Sequence, residues 1–296
     1  MELRVLRYFL AVAREQNISK AADALHVTQP TLSRQIMDLE DELGTPLLLR
    51  GKHTRRISLT DAGVRFYNYA AEIVQLSEKA KAELREPSEQ VEGDVYIGAG
   101  ESDAMRFVAR TALKIRRNHP NVRYHLFSGN ASLIAERLDK SLVDIGIFIG
   151  SLPQEKYAYK TLPKGDRWGI LAPQDSPLAE KEHVSPADLA GVPLFVSQQA
   201  MQGSELSGWF GPDFKKLNVA GTYNLIFNAS LMAEEGLGCV LGLENIVAAE
   251  GNGSRLRFVP LEPPLVARVS IAWRKSGVSS RAARLFLDEI LREAEE

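Results

Sequence analysis

Apolar positions in the first ninety residues recur at helical spacing and are broken by turn residues at short intervals. Leu3, Leu6, Leu10 and Ala13 predict an amphipathic first helix. Ser19 is placed to cap a short second helix with an inward face of Ala21, Ala22 and Leu25, and His26-Val27 forms the turn beyond it. Thr28 is then the N-cap of a third helix, with Pro30 in its first turn, where a missing N–H costs nothing. Its stripe of Leu32, Ile36, Leu39 and Leu43 ends at Gly44. Short helices with a tight turn before the last predict a helix-turn-helix. Leu47-Leu48-Leu49 and Ile57-Ser58-Leu59 follow as two short strands around a basic tip, the pattern of a β-hairpin wing.

Thr60 caps a long helix predicted from Asp61 to Glu86 and stopped by Pro87. Its apolar residues Phe66, Tyr69, Ile73, Leu76, Ala80 and Leu84 fall three and four apart, as in a coiled-coil seam. Packing on its own domain is one reading. The helix has more apolar length than so small a domain needs, which favours a dimer interface. Residues 87–93 read as a linker.

Beyond it, a strand at Val95–Ala99 turns at Gly100-Glu101-Ser102 into a helix ending near Asn118. A strand at Val122–Phe127, a helix at Ala131–Lys140 and a strand at Val143–Ile149 continue a parallel α/β sheet. A second unit opens with a strand at Trp168–Ala172, adds strands at Leu194–Val196 and Gly238–Leu241, and ends near Pro260. A last strand, Val266–Trp273, and a helix, Ser279–Arg292, return to the first unit. Two lobes joined by crossing strands leave a cleft, a natural ligand site. The expected fold is α/β overall, with an all-α N-terminal part. The domains fall at 1–60, 61–92 and 93–296, the last with lobes of 93–165 plus 266–296 and of 166–265.

Composition narrows the classes without choosing among them. The chain has 296 residues, 45% hydrophobic and 25% charged, enough for several cores and unlike a disordered chain. No apolar run is long enough for a bilayer and no secretory leader opens the chain, so a cytoplasmic location with no membrane partner is expected. The single cysteine, Cys239, suits a reducing compartment and reads as a buried hydrophobe within Gly238-Cys239-Val240-Leu241.

A net charge of −2 argues against nucleic acid as a partner until it is resolved along the chain. At about 100° per residue, the face of the third helix opposite its apolar stripe carries Pro30, Thr31, Arg34, Met37 and Asp38, with Ser33 at its edge. Asp38, Glu40, Asp41 and Glu42 make the second half acidic, and carboxylates repel phosphates. Only the N-terminal turns suit a major groove. There Arg34 can donate to a base edge or a phosphate, and Gln29, Thr31 and Ser33 can do so more weakly. The basic run from Arg50 to Arg56 can reach phosphates or a narrow minor groove.

Other chemistries find no footing. Gly98-Ala99-Gly100 follows a strand, yet the third glycine of a dinucleotide fingerprint falls at Asp103, whose charge repels a pyrophosphate. His26, His53, His119, His125 and His183 are scattered and no paired cysteines exist, so no metal is expected. No nucleophile elbow or Ser-His-Asp order is present, and no catalytic residue or cofactor is assigned.

Phe9-Leu10-Ala11-Val12-Ala13, Ser19-Lys20-Ala21-Ala22, Thr28-Gln29-Pro30-Thr31-Leu32-Ser33-Arg34-Gln35-Ile36, Leu39-Glu40 with Leu43-Gly44, and Leu59-Thr60-Asp61-Ala62-Gly63 stand in fixed order. In that combination the N-terminal third resembles the LysR-type transcriptional regulators, and the resemblance extends more weakly along the chain. It implies a winged helix-turn-helix, a dimerising linker helix and an effector domain built like a periplasmic binding protein. The implied partners are double-stranded operator DNA, a small-molecule effector and further copies of the chain, as a homodimer or a homotetramer; RNA polymerase is another candidate. The DNA-contacting positions it implies are Gln29, Pro30, Thr31, Ser33 and Arg34, with Arg50, Lys52, Arg55 and Arg56 of the wing. The wing follows no fixed pattern, which leaves open which of its basic residues reaches DNA.

In parallel sheets, ligands bind beyond the carboxyl ends of strands, at helix N-termini. That rule selects Ser102, Asn130, Phe148, the Ser197-Gln198-Gln199 turn and Asn228. The resemblance points independently to the loops at Ser102, Asn130, Ser197 and Asn228. Serine and asparagine also cap helices when no ligand is present. Helix N-termini favour an anionic effector. Glu101 and Asp103 beside Ser102, and the lack of an arginine in these loops, suit a neutral or polyhydroxylated one, and both remain open. The alternative is a solute-binding protein, which would leave the first ninety residues without a purpose. A cytoplasmic enzyme is third, without a catalytic constellation.

Overall fold

The computed structural model describes residues 1–50, 57–83, 90–150, 152, 155–249, 254–278 and 280–295. The chain divides into two compact units, residues 1–85 and 86–296.

The first unit runs α1 (Leu3–Glu15), α2 (Ile18–Ala24), α3 (Gln29–Leu43), β1 (Leu48–Arg50), β2 (Ile57–Leu59) and α4 (Asp61–Glu83). Leu32, Ile36 and Leu39 of α3 are buried as their spacing predicts. In α1 the buried face is Val5, Leu6, Phe9 and Val12, while Leu3 is exposed and Leu10 half-buried. The helix is apolar around much of its circumference, so spacing fits two stripes, and packing selects the one that buries the Phe9 ring. The cap of α2 is Asn17, whose side chain accepts the Lys20 N–H at 3.1 Å; Ser19 lies inside the helix, exposed. His26, at φ +54°, closes the turn into α3.

Thr60 opens α4, accepting the Gly63 N–H at 2.9 Å and donating to the Pro46 carbonyl at 2.8 Å. A Cβ at position 63 would lie 2.1 Å from the Leu47 carbonyl oxygen, so only glycine lets α4 start this close to the wing. Leu84 and linker residues 87–89 lie outside the described residues.

The second unit begins with β3 (Gly93–Ala99), α5 (Met105–Asn118), β4 (Val122–Ser128), α6 (Ala131–Asp139), β5 (Ile145–Ile149) and β6 (Tyr157–Thr161). Then come β7 (Asp166–Pro173), β8 (Leu194–Ser197), α7 (Gln198–Gln202), α8 (Ser204–Phe210), β9 (Val219–Tyr223) and α9 (Ile226–Glu234). It closes with β10 (Cys239–Leu243), β11 (Leu256–Pro260), β12 (Val266–Ala267), β13 (Val269–Arg274) and α10 (Arg281–Glu293).

These form two sheets, each with its own core. In the first, ordered β4-β3-β5-β13-β6, the first three strands are parallel as expected, and β13 pairs antiparallel with both β5 and β6. The second is ordered β11-β7-β10-β8-β9, with β12 on β7. The strands missing from the sequence reading, β6, β9 and β11, all lie at sheet edges, where one-sided burial weakens the apolar signal. The expected single strand Val266–Trp273 is broken at Arg268: β12 pairs with β7 of the second sheet, and β13 pairs with β5 and β6 of the first. The chain thus crosses between lobes at Arg268. A Cβ at Gly165, on the other crossing, would lie 2.3 Å from the Ala267 carbonyl oxygen, so the two crossings run tightly together. Cys239 is buried, and burial pushes its thiol up to about 11.

Candidate functional site

The N-terminal turns of α3 present a short polar surface. The Thr28 side chain accepts the Thr31 N–H at 3.4 Å, and the two hydroxyls lie 2.8 Å apart, fixing the first turn. Gln29, Pro30, Thr31 and Arg34 are exposed and Ser33 is half-buried, with Met37 continuing the same exposed face. Glu40 belongs to a different role from its acidic neighbours. Its carboxylate accepts the amides of Leu47 and Leu48, at 2.7 and 2.9 Å, and anchors the first strand of the wing.

β1 and β2 pair antiparallel from Leu48↔Leu59 to Arg50↔Ile57, the ladder of the expected hairpin. The Arg50 side chain and the tip residues Lys52, Arg55 and Arg56 lie outside the described residues.

On α4, the residues of the seam part company. Phe66 packs edge-on against Phe9, with ring centroids 5.1 Å apart, and belongs to the core of its own unit. Tyr69, Ile73 and Leu76 are exposed, with Tyr69 62% accessible. A single heptad register thus serves two purposes: its start closes the domain and the remainder faces outward.

In the second unit a cleft of about 530 Å³ opens between the two sheets, beyond the carboxyl ends of their parallel strands. Asn130, Phe148 and Ser197 line it. The Asn130 side-chain oxygen is also the cap of α6, accepting the Leu133 N–H at 3.1 Å and the Ser132 hydroxyl at 2.8 Å.

Ser102, Gln198 and Asn228 are not part of the lining. Ser102 is buried, donating to the Asp166 carboxylate and accepting the Ala104 N–H at 3.0 Å. Gln198 is exposed and bonds the Thr222 hydroxyl at 3.4 Å; Gln199, about 100° further round α7, enters the cleft instead. Asn228 lies past the first residues of α9 and is exposed, because the helix begins at Ile226 and presents Asn224, Leu225 and Ile226 to the cavity.

Arg268, Glu205 and Trp168 are among the lining residues that the rule of strand ends does not select. Arg268, at the crossing between lobes, adds the cation that the loops lack. Nothing local marks it, since the loops it faces are distant in sequence. Glu205 adds a carboxylate. Trp168 is 6% exposed, and among the described residues its indole N–H has no hydrogen-bond partner.

The lobes are also joined through the cleft. The Glu101 carboxylate accepts the Ile226 N–H. The Gln199 amide accepts the Ala131 N–H at 2.9 Å and donates to the Ile149 carbonyl at 2.9 Å.

Comparison with known proteins bears on both units. Residues 3–64 match the bacterial regulatory helix-turn-helix protein of the lysR family, and residues 88–295 match the LysR substrate binding domain. The chain is 30% identical over 295 residues to the Hca operon transcriptional activator HcaR of Escherichia coli strain K12, covering 97% of this chain and 96% of that one. In fold it is similar to CbnR, a LysR family transcriptional regulator, with a TM-score of 0.76 and 20% identity over 100% of both chains. It is also similar to full-length CbnR complexed with its target DNA, with a TM-score of 0.74 and 20% identity over 99% of both.

Proposed function

The chain belongs to the LysR family of DNA-binding transcriptional regulators, and from that premise we propose how its parts divide the work. The N-terminal turns of α3 read operator DNA from the major groove. Gln29, Thr31, Ser33 and Arg34 supply the donors, and the wing supplies phosphate contacts. The outward face of α4 joins two copies, so that two half-sites are bound together, and pairs of dimers form the working assembly in the cytoplasm. The cleft of the second unit holds a small-molecule effector. A solute-binding protein would have no use for a helix-turn-helix, and the matched N-terminal domain sets that alternative aside.

The observation that carries the DNA reading is the change of chemistry along α3. Its exposed face begins with hydroxyls, an amide and a guanidinium held by the Thr28 cap, and turns acidic from Asp38. Carboxylates along a phosphate groove are repelled, so docking is confined to the first turns. Arg34→Ala is expected to weaken operator binding tenfold or more at fixed salt while leaving the melting temperature unchanged. Unchanged affinity in a fluorescence-anisotropy titration would remove Arg34 from the interface.

For the effector, the cleft is lined by Arg268 and by Trp168, whose indole N–H has no hydrogen-bond partner among the described residues. A small anion fits the Arg268 cation better than a polyol does. Buried donors without partners are costly, and an acceptor on the ligand satisfies them.

A further inference from the structure

Two side chains in the cleft leave one lobe and end on the first amide of a helix in the other. Glu101, on the turn after β3, accepts the N–H of Ile226, where α9 begins. Gln199, in α7, accepts the N–H of Ala131, where α6 begins. The two bonds run in opposite senses, so each lobe supplies one acceptor and one helix end. All four residues line the same cavity.

The two helix ends differ in what else serves them. α6 has Asn130 as a side-chain cap, whereas the residue before α9 is Leu225, which caps nothing. Glu101 is therefore the side chain that answers the amides at the start of α9. A helix N-terminus carries partial positive charge and unpaired N–H groups, the place in a cleft where the anionic group of a ligand docks best. In this chain that place is held by a carboxylate of the protein itself.

We propose that Glu101 is an internal counter-ligand: it occupies the start of α9, holds the lobes together with Gln199, and is displaced by the effector. This rests on the reading of the cleft as the effector site. A tethered carboxylate competes at an effective concentration of about millimolar or more, so a free anion alone does not dislodge it. A carboxylate-bearing molecule that also engages Arg268 and the Trp168 N–H does. Glu101 is in this way a specificity-determining residue, admitting ligands with the full set of contacts and rejecting simple anions.

The test is amide hydrogen exchange on the full chain, read at Ile226 and Ala131, in the wild type and in Glu101→Ala. In the variant, exchange at Ile226 is expected to rise about tenfold. Exchange at Ala131 is expected to rise too, although its own acceptor is intact, because both bonds close one gap. Acetate, the free counterpart of the missing carboxylate, is expected to slow Ile226 exchange again in the variant and to leave the wild type unchanged. Glu101→Gln keeps an acceptor without the charge and is expected to fall between the two. Wild-type exchange at Ile226 in Glu101→Ala, or no response of that variant to acetate, overturns the proposal; so does an unchanged Ala131. None of these measurements uses DNA or an effector. A failure of the effector-site reading, seen as full induction in an Arg268→Ala strain, is therefore distinguishable from a failure of the latch.

Discussion

Asp166 stands at the crossing between lobes, 7% exposed, with one carboxylate oxygen unpartnered among the described residues. Burial raises its pKa above the ordinary carboxylate range, outweighing the bonds from the Ser102 hydroxyl and the Asp103 amide; the Asp103 charge adds to the rise. The folded chain thus holds this proton more tightly than the unfolded one. The group stabilises most in acid, and its contribution declines as pH climbs from about 4 through the raised value. Asp166→Asn is expected to melt about 3 °C higher than the wild type at neutral pH, with the gap closing as pH falls toward the carboxylate range. Melting curves across that range check the sign. The same contacts explain Ser102, which the rule of strand ends selects for the cleft. Its hydroxyl is spent on Asp166 and Ala104, a use that no local pattern announces.

At the scale of the element, α4 shows how one apolar repeat divides. Phe66 lies against Phe9, and Phe66→Ala is expected to cost about 2 kcal/mol of stability to its own domain, below the fully buried range because the ring is half-buried. Ile73 and Leu76 are exposed. Ile73→Glu is expected to leave the melting of the monomeric fold unchanged and to raise the dimer dissociation constant at least tenfold, as read by sedimentation equilibrium. Equal association in the two proteins would move the interface away from α4. The seam's spacing was readable from the sequence, but it does not say which residue meets its own core. That depends on where α1 lies, and α1 itself carries two stripes from which packing chose the one containing Phe9. Edge strands such as β6 and β9 escaped notice for a related reason: burial on few sides imposes few apolar residues.

At the scale of the whole molecule, the cleft gathers residues from segments far apart in sequence. Arg268 and Asn228 make the contrast testable. Arg268 lines the cavity and Asn228 does not. In a thermal-shift screen of small carboxylates, a ligand that raises the melting point of the wild type is expected to do so equally in Asn228→Ala and to lose most of its effect in Arg268→Ala. A reversed order would return the site to the outer turn of α9.

The helix-turn-helix was determined by the sequence alone, because its signals are local. A capping threonine, a proline in the first turn, a stripe at 3.6-residue spacing and a glycine that ends α3 each act within a few residues. The alternation of strands and helices likewise announced two α/β lobes with a cleft between them. Tertiary structure alone decided which side chains face that cleft. A helix beginning two residues earlier swaps Asn228 for Asn224, one step round α7 swaps Gln198 for Gln199, and a strand broken at Arg268 sets that residue at the rim of the cavity. Direction around a helix, and the point at which a strand changes sheets, are set by packing against distant parts of the chain, and local patterns do not carry that information.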